Sequence, residues 1–177
     1  LEAKRRLGGR TGSFSLPAVA GAAEPVESID YCQHVAMSCC TNLRQFIDWL
    51  GQSEHWLEHR ELHFLSSRGE YQRLRPLPLL PAPLHIGHWL LRWPNLSWFD
   101  RLAVARGLFA MWRLRLSDAL EEVPAMQWLE QHGQTASSLQ HFWSTIMVSA
   151  LGAELEAVNL AAATKVIQDG FLKHREA

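Results

Sequence analysis

Leu1-Glu2-Ala3-Lys4-Arg5-Arg6-Leu7-Gly8-Gly9-Arg10 opens the sequence, and the order of chemistries in it sets the reading of everything that follows. An acid, then a basic run, then a Gly-Gly-Arg turn is what an adenine dinucleotide needs. The Glu2 carboxylate is suited to accept hydrogen bonds from ribose hydroxyls, and Gly8 and Gly9 let backbone amides come close to a bound anion. In such a fold the glycine-rich turn that holds the pyrophosphate lies about 20 residues before the acid. The expectation is therefore a piece of a larger dinucleotide-binding protein, cut inside its cofactor fold and lacking the first strand and the glycine-rich turn.

With 177 residues, 47% hydrophobic and 20% charged, the chain has enough apolar material for a real core. The net charge of −1 gives no nucleic-acid signature, so no nucleic-acid partner is expected. The charge is unevenly placed. Residues 1–10 hold four basic groups and one acid, while 11–59 hold one basic group and six acids. Residues 60–120 hold nine basic groups, all arginine, against four acids, and 121–177 return to three against seven. The three cysteines, Cys32, Cys39 and Cys40, are odd in number and two are adjacent, which suits a reducing compartment better than a disulfide framework. No run of 18 apolar residues is present, and no secretory signal is expected.

Ser13-Phe14-Ser15-Leu16 and Ser28-Ile29-Asp30-Tyr31 predict two short strands around a Pro/Ala/Gly-rich connection. From Ser38 the period becomes helical: Leu43, Phe46, Ile47 and Leu50 share a face, Thr41 or Asn42 caps it, and Gly51 ends it. His63-Phe64-Leu65 and Tyr71-Gln72-Arg73-Leu74 predict a hairpin around Ser66–Glu70. Four prolines between 76 and 83 predict an extended linker. Helices are expected near 84–92, 97–115, 124–132, 135–151 and 153–172, with Asp100, Ser97 or Ser117 as caps.

The opening run resembles the second motif of the flavoprotein superfamily of amine oxidases and phytoene desaturases, where an E-A-R-x-R-x-G-G-R sequence follows the second strand. Ile29-Asp30-Tyr31-Cys32-Gln33-His34-Val35-Ala36-Met37-Ser38 is similar to the D-N-G-Q-H-x-x-M-G segment of its squalene-associated branch, the hydroxysqualene dehydroxylases. Leu62-His63-Phe64-Leu65 before a hairpin, the proline linker, and Lys165-Val166-Ile167-Gln168-Asp169-Gly170-Phe171-Leu172 near the end fit that branch as well.

The resemblance implies an FAD-dependent oxidoreductase, truncated at both ends here, that replaces the hydroxyl of hydroxysqualene with hydride to give squalene for hopanoid-type lipids. Glu2 would take the adenosine ribose. Lys4, Arg6, Gly8, Gly9 and Arg10 would serve the cofactor's pyrophosphate and flavin side. Gln33 and His34 would lie where the strand passes the isoalloxazine and the substrate. Lys4 stands where the family has Arg, Cys32 and Ser38 where it has Gly. A side chain at position 32 obstructs close backbone approach to a flavin. The implied fold is α+β and mainly helical: residues 1–37 a partial FAD-binding, Rossmann-like domain, and residues 38–177 a substrate- or membrane-facing helical domain with a small hairpin. The fragment by itself is expected neither to retain FAD nor to turn over.

Dehydroxylation needs a proton for the leaving oxygen, a hydride donor and a dry site. Histidine has the intrinsic pKa for the proton, so His34 is the candidate acid, with Gln33 holding a hydroxyl or water. Both residues are equally suited to be structural hydrogen bonders on a buried strand. Between His88 and Arg115, Trp and Arg alternate with Leu, as in a helix at a lipid surface with guanidinium groups toward phosphates. With the polyprenyl substrate that the resemblance implies, peripheral association at the cytoplasmic face of a membrane is expected, although the same stripe also suits a core with arginines on its wet side. Desaturation of a carotenoid precursor and a non-catalytic lipid-binding helical module are the alternatives. A further rival is literal: His55-Trp56-Leu57-Glu58-His59 matches the H-x-x-E-H of inverted zinc peptidases, and His63 continues the spacing on a helical face. The strand expected from Leu62 would break that face, so no metal site is expected.

Overall fold

Ser97 and Asp100 stand three residues apart ahead of an apolar run, and in the computed structural model they start its principal helix, α3 (Trp98–Arg113). The model describes residues 12–15, 28–30, 35–59, 61–65, 69, 71–77 and 79–173. The Ser97 hydroxyl accepts from the Asp100 N–H at 3.2 Å, and the Asp100 carboxylate accepts from the Ser97 N–H at 2.9 Å. This capping box satisfies two backbone donors that a helix start leaves open. Ser97 is thus the cap, and Asp100 its reciprocal partner inside the first turn. Ser117, the other expected cap, precedes only a single 3₁₀ turn (Asp118–Leu120) and makes no side-chain cap bond.

The chain divides into two compact units, residues 1–37 and 38–177. In the first, β1 (Ser13–Ser15) pairs antiparallel with β2 (Ser28–Asp30), Ser13 opposite Asp30. The second begins with α1 (Thr41–Trp49), capped by Cys40 rather than by Thr41 or Asn42, which lie inside its first turn. Leu43, Phe46 and Leu50 share the expected spacing yet remain exposed, and no residue of α1 is buried. Next, β3 (Leu62–Leu65) and β4 (Tyr71–Leu74) form an antiparallel hairpin with Leu62 opposite Leu74 and Phe64 opposite Gln72. Alternation turns Leu62, Phe64 and Leu74 toward the core and His63, Leu65 and Tyr71 toward water. The proline-rich stretch is folded rather than extended. Leu80 N–H donates to Leu77, His85 N–H to Pro81, and Leu77 N–H to His85 at 2.9 Å, because the residues between the prolines keep their donors.

Helices fill the rest: α2 (Gly87–Arg92), α3, α4 (Ala125–Gln131), α5 (Ala136–Ser138), α6 (Ser144–Leu151) and α7 (Leu160–Ile167). A π turn, Leu139–Trp143, joins α5 to α6, and a second, Gln168–Leu172, continues α7. The helix expected over 153–172 is broken before α7. A 3₁₀ turn (Leu155–Ala157) leads into extended backbone, where Pro124 and Asn159 form a bridge. There Ala125 N–H donates to Val158 at 2.9 Å and Leu160 N–H to Val123 at 2.7 Å. The open donors at the starts of α4 and α7 are thereby satisfied by each other's leading segments. Asn159 adds its own side-chain cap, accepting from Ala162 at 2.8 Å.

The core gathers on the inner side of α3, where Val104 and Met111 meet Leu129, Trp143, Met147, Leu160 and Ile167. Three polar contacts hold that helix. At its start, Thr135 donates to the Asp100 carboxylate at 2.5 Å, while the Thr135 hydroxyl caps α5 by accepting from Ser138. At its middle, the buried Gln134 amide donates to Ala103 O at 2.5 Å and accepts from Trp143 Nε1 at 2.7 Å and from the Ser138 hydroxyl. At its end, Gln168 Nε2 donates to Met111 O at 2.7 Å and Leu114 O at 2.8 Å. Met111 O also accepts from the Leu114 N–H just past the helix at 3.1 Å, and carbonyls at a helix end are short of helical donors.

Two outcomes follow. The hydrogen bonds from Thr135 and Ser97 hold the Asp100 carboxyl at about 2, below its ordinary 3.8. A depressed pKa contributes stability that is complete above pH ~4 and drains as the pH falls toward ~2. Asp100→Ala is expected to lose about 2 kcal/mol at neutral pH and to show a flatter acid limb in urea melts followed from pH 7 downward. A Cβ on Gly107 would lie 2.8 Å from Gln134 Nε2 and 2.9 Å from the Trp143 ring, and neither group is free to move. Gly107→Ala is therefore expected to destabilise by about 1–2 kcal/mol in urea melts, although the same change on an open helix stabilises.

Candidate functional site

Glu2, Lys4, Arg6, Gly8, Gly9, Arg10, Cys32, Gln33 and His34 all lie outside the described residues. What is described beside them is the β1–β2 pair, whose Ser13 hydroxyl donates to the Asp30 carboxylate at 2.5 Å. That bond ties the strand after the Gly-Gly-Arg run to the first residue of the Asp30–His34 segment. Further along, Cys39 and Cys40 precede α1 as free thiols, the first half-buried and the second exposed. Burial and the neighbouring Cys40 push the Cys39 thiol up, which keeps it protonated and a poor nucleophile or metal ligand.

The histidine series does not assemble. His55 closes a 3₁₀ turn (Ser53–His55), and the backbone is already extended at Trp56. Glu58 and His59 therefore share no helical face with it. His63 belongs to β3, and its ring is engaged with Tyr71 across the hairpin. Among the described residues no group of three or more His, Cys, Asp or Glu side chains is placed to hold a metal ion.

The Trp-, Arg- and Leu-rich stretch is divided between core and surface. Trp89 and Trp93 are buried, with Trp89 Nε1 donating to Arg75 O and Trp93 Nε1 to His141 O. Trp93 packs at a tilt between Phe64 of the hairpin and Phe142 of the π turn, each 4.8 Å away between ring centres. A π turn shifts the backbone bonding by one residue, and the His141 carbonyl in it is the one the indole reaches. The outward side of α3 is apolar as well: Trp98 is 66% exposed, Phe99 82% and Leu102 64%. Phe109 and Trp112 continue the stripe. Guanidinium groups sit on it, Arg101 5.0 Å from the Trp98 ring centre and Arg113 5.7 Å from that of Phe109. A groove of about 710 Å³ runs along it, with Leu102, Arg106 and Phe109 facing His132. No helix among the described residues is long and apolar enough to cross a bilayer.

A second recess, of about 500 Å³, lies where β4, α2 and α3 meet. Gln72, Arg73, Arg92 and Arg101 line it above Trp93. Reading the sequence missed it, because its arginines come from three elements and carry no common spacing. The excess of arginine over residues 60–120 was the only trace.

No protein-family model and no curated protein matches this sequence. Among solved structures, the chain is similar to a putrescine oxidase in its wild-type form bound to putrescine, at 20% identity and a TM-score of 0.46. A triple mutant and a double mutant of putrescine oxidase each match at 20% identity and a TM-score of 0.45. Each match covers 97% of this chain and 38% of the other, so the chain spans well under half the length of those proteins.

The division of aromatic residues is open to a direct check. Trp93→Ala removes a buried ring and its hydrogen bond and is expected to cost about 3–5 kcal/mol, whereas Phe99→Ser on the outer stripe should change stability by less than about 0.5 kcal/mol. Urea melts of the two variants would expose a misplaced boundary as similar losses in both.

Proposed function

We propose that this chain is part of an FAD-dependent oxidoreductase that acts on a C30 isoprenoid, converting hydroxysqualene to squalene. The single observation carrying this reading is the order Glu2, Lys4-Arg5-Arg6, Gly8-Gly9-Arg10, followed by the Asp30–His34 segment, which is similar to that of the squalene-associated flavoproteins. In this reading Glu2 binds the adenosine ribose, and Lys4, Arg6, Gly8, Gly9 and Arg10 serve the pyrophosphate side. FAD, when bound and reduced, would be the source of hydride. His34 gives a proton to the departing hydroxyl, which leaves as water, while Gln33 orients that oxygen. Residues 1–37 belong to the cofactor-binding part, and residues 38–177 to the part that handles the lipid.

The outer face of α3 supports a peripheral position at a membrane. Trp98, Phe99, Leu102 and Phe109 present apolar surface, and Arg101, Arg106 and Arg113 run alongside it. That combination suits an interface with anionic lipid, from which a polyprene is collected. The same face favours the second reading, a helical lipid-binding module without its own chemistry.

The complete gene product is the material for the test. It should carry flavin absorbance, and Glu2→Ala should weaken flavin retention at least about tenfold through loss of a charged hydrogen-bond acceptor. Pre-reduced enzyme supplied separately with hydroxysqualene and phytoene should form squalene from the first, and His34→Ala should slow that step by roughly 10²-fold or more. Product from phytoene alone moves the assignment to a desaturase. Protein that binds no flavin, yet sediments with lipid vesicles through Phe99 and Leu102, leaves only the binding module.

A further inference from the structure

We propose that the recess between β4, α2 and α3 binds a phosphate-type oxyanion through Arg73, Arg92 and Arg101. Three guanidinium groups from three separate elements line one opening of about 500 Å³. Their compensation is incomplete. Glu61 meets Arg73 Nε at 3.0 Å and is shared with Arg75 at 3.7 Å. Arg92 and Arg101 have no ion pair among the described residues. The nearest acid in sequence, Asp100, has its oxygens taken by Ser97 and Thr135. Among the described residues three arginines line the recess and only Arg73 has an ion pair, so a bound anion is favoured there.

The hydrogen-bonding state of the recess narrows the ligand further. The Arg101 Nη2 is held by Trp93 O at 3.4 Å, and the guanidinium rests on the Trp98 ring. Its Nε–H, however, is buried without an acceptor. The Gln72 side-chain oxygen is buried without a donor. A buried polar atom lacking its partner costs about 1–3 kcal/mol. Both residues line the recess, one short of an acceptor and the other of a donor. Hydrogen phosphate, a dianion that keeps one P–OH, supplies both, as does a phosphate monoester in its singly ionised form, the anionic oxygens taking the arginine forks and the P–OH donating to Gln72. A carboxylate or a sulfate supplies only the acceptor. Leu91, on the rim, leaves room for an apolar carrier, so the phosphate is either a free small molecule or the headgroup of a phospholipid. The site stands independently of any flavin.

Calorimetric titration of the 177-residue chain with inorganic phosphate and with diphosphate at low ionic strength tests this. Saturable binding is expected, at least about tenfold weaker for sulfate. Arg92→Gln and Arg101→Gln should each lower affinity at least about tenfold. Arg101→Lys should restore only part, since a point charge does not reproduce the fork, and Arg44→Gln, on α1 away from the recess, should leave binding unchanged. The exposed Arg92 provides a variant whose fold is easily preserved, checked by circular dichroism. Phosphatidylcholine vesicles with and without phosphatidic acid separate the sources. Arg92-dependent sedimentation with phosphatidic acid identifies a headgroup, and Arg92-dependent binding of soluble phosphate alone identifies a free ligand. No saturable binding, equal binding of sulfate, or binding indifferent to Arg92 and Arg101 overturns the proposal.

Discussion

The helical unit is organised by the way α3 is gripped along its whole length. Thr135 holds its first turn through Asp100, Gln134 its middle through Ala103 O, and Gln168 its last carbonyls. Apolar packing alone lets a helix slide or rotate against its neighbours at modest cost. Buried polar contacts do not, because each one displaced leaves an unsatisfied group in a low-dielectric interior. Three such contacts at three heights fix the axial position and the rotation of α3 together. The result is that Val104, Gly107 and Met111 face inward while Phe99, Leu102 and Phe109 face out. Both the outer stripe and the arginine recess are by-products of that orientation.

The hairpin is positioned by aromatic packing instead. Phe64, Trp93, Phe142 and Trp143 form a continuous series of tilted and edge-on contacts, geometries that suit the ring quadrupoles. Both tryptophans in the series have their indole N–H on an acceptor, His141 O and Gln134 Oε1. Because β4 is tied in through Leu74 and the Trp89–Arg75 bond, Arg73 is carried to the same opening as Arg92 and Arg101. The placement of a strand arginine beside two helix arginines is a consequence of ring packing several residues away.

The places of most elements were legible in the sequence because their signals are local. Ser97 and Asp100 announce α3 at a spacing of three, alternation marks β3 and β4, and Gly51 ends the run of α1 with positive φ. What local pattern does not carry is any bond between residues far apart. The Gln168 cap on α3 joins positions 54–57 residues apart, and nothing around Gln168 marks it. The bridge of Pro124 with Asn159 broke a predicted helix for the same reason. The proline stretch was misread as extended because proline count speaks for proline's own φ and not for the donors of Leu77, Leu80 and His85. For the site, the H-x-x-E-H motif counted spacing correctly but assumed a helix that the chain leaves at Trp56. The cofactor residues carried by the family resemblance fall outside the described residues, so their reading still rests on their order in the sequence.

The bare apolar side of α1 has a thermodynamic consequence of its own. A nine-residue helix lies below the length at which a helix sustains itself in water, and none of the side chains of α1 is buried. Its backbone bonds therefore draw little on the cooperativity of the core. The unit is in effect graded: the amides of α1 open with a free energy near zero, while those of α3 open only with the whole. Amide hydrogen exchange would separate the two helices by orders of magnitude in rate within one folded molecule.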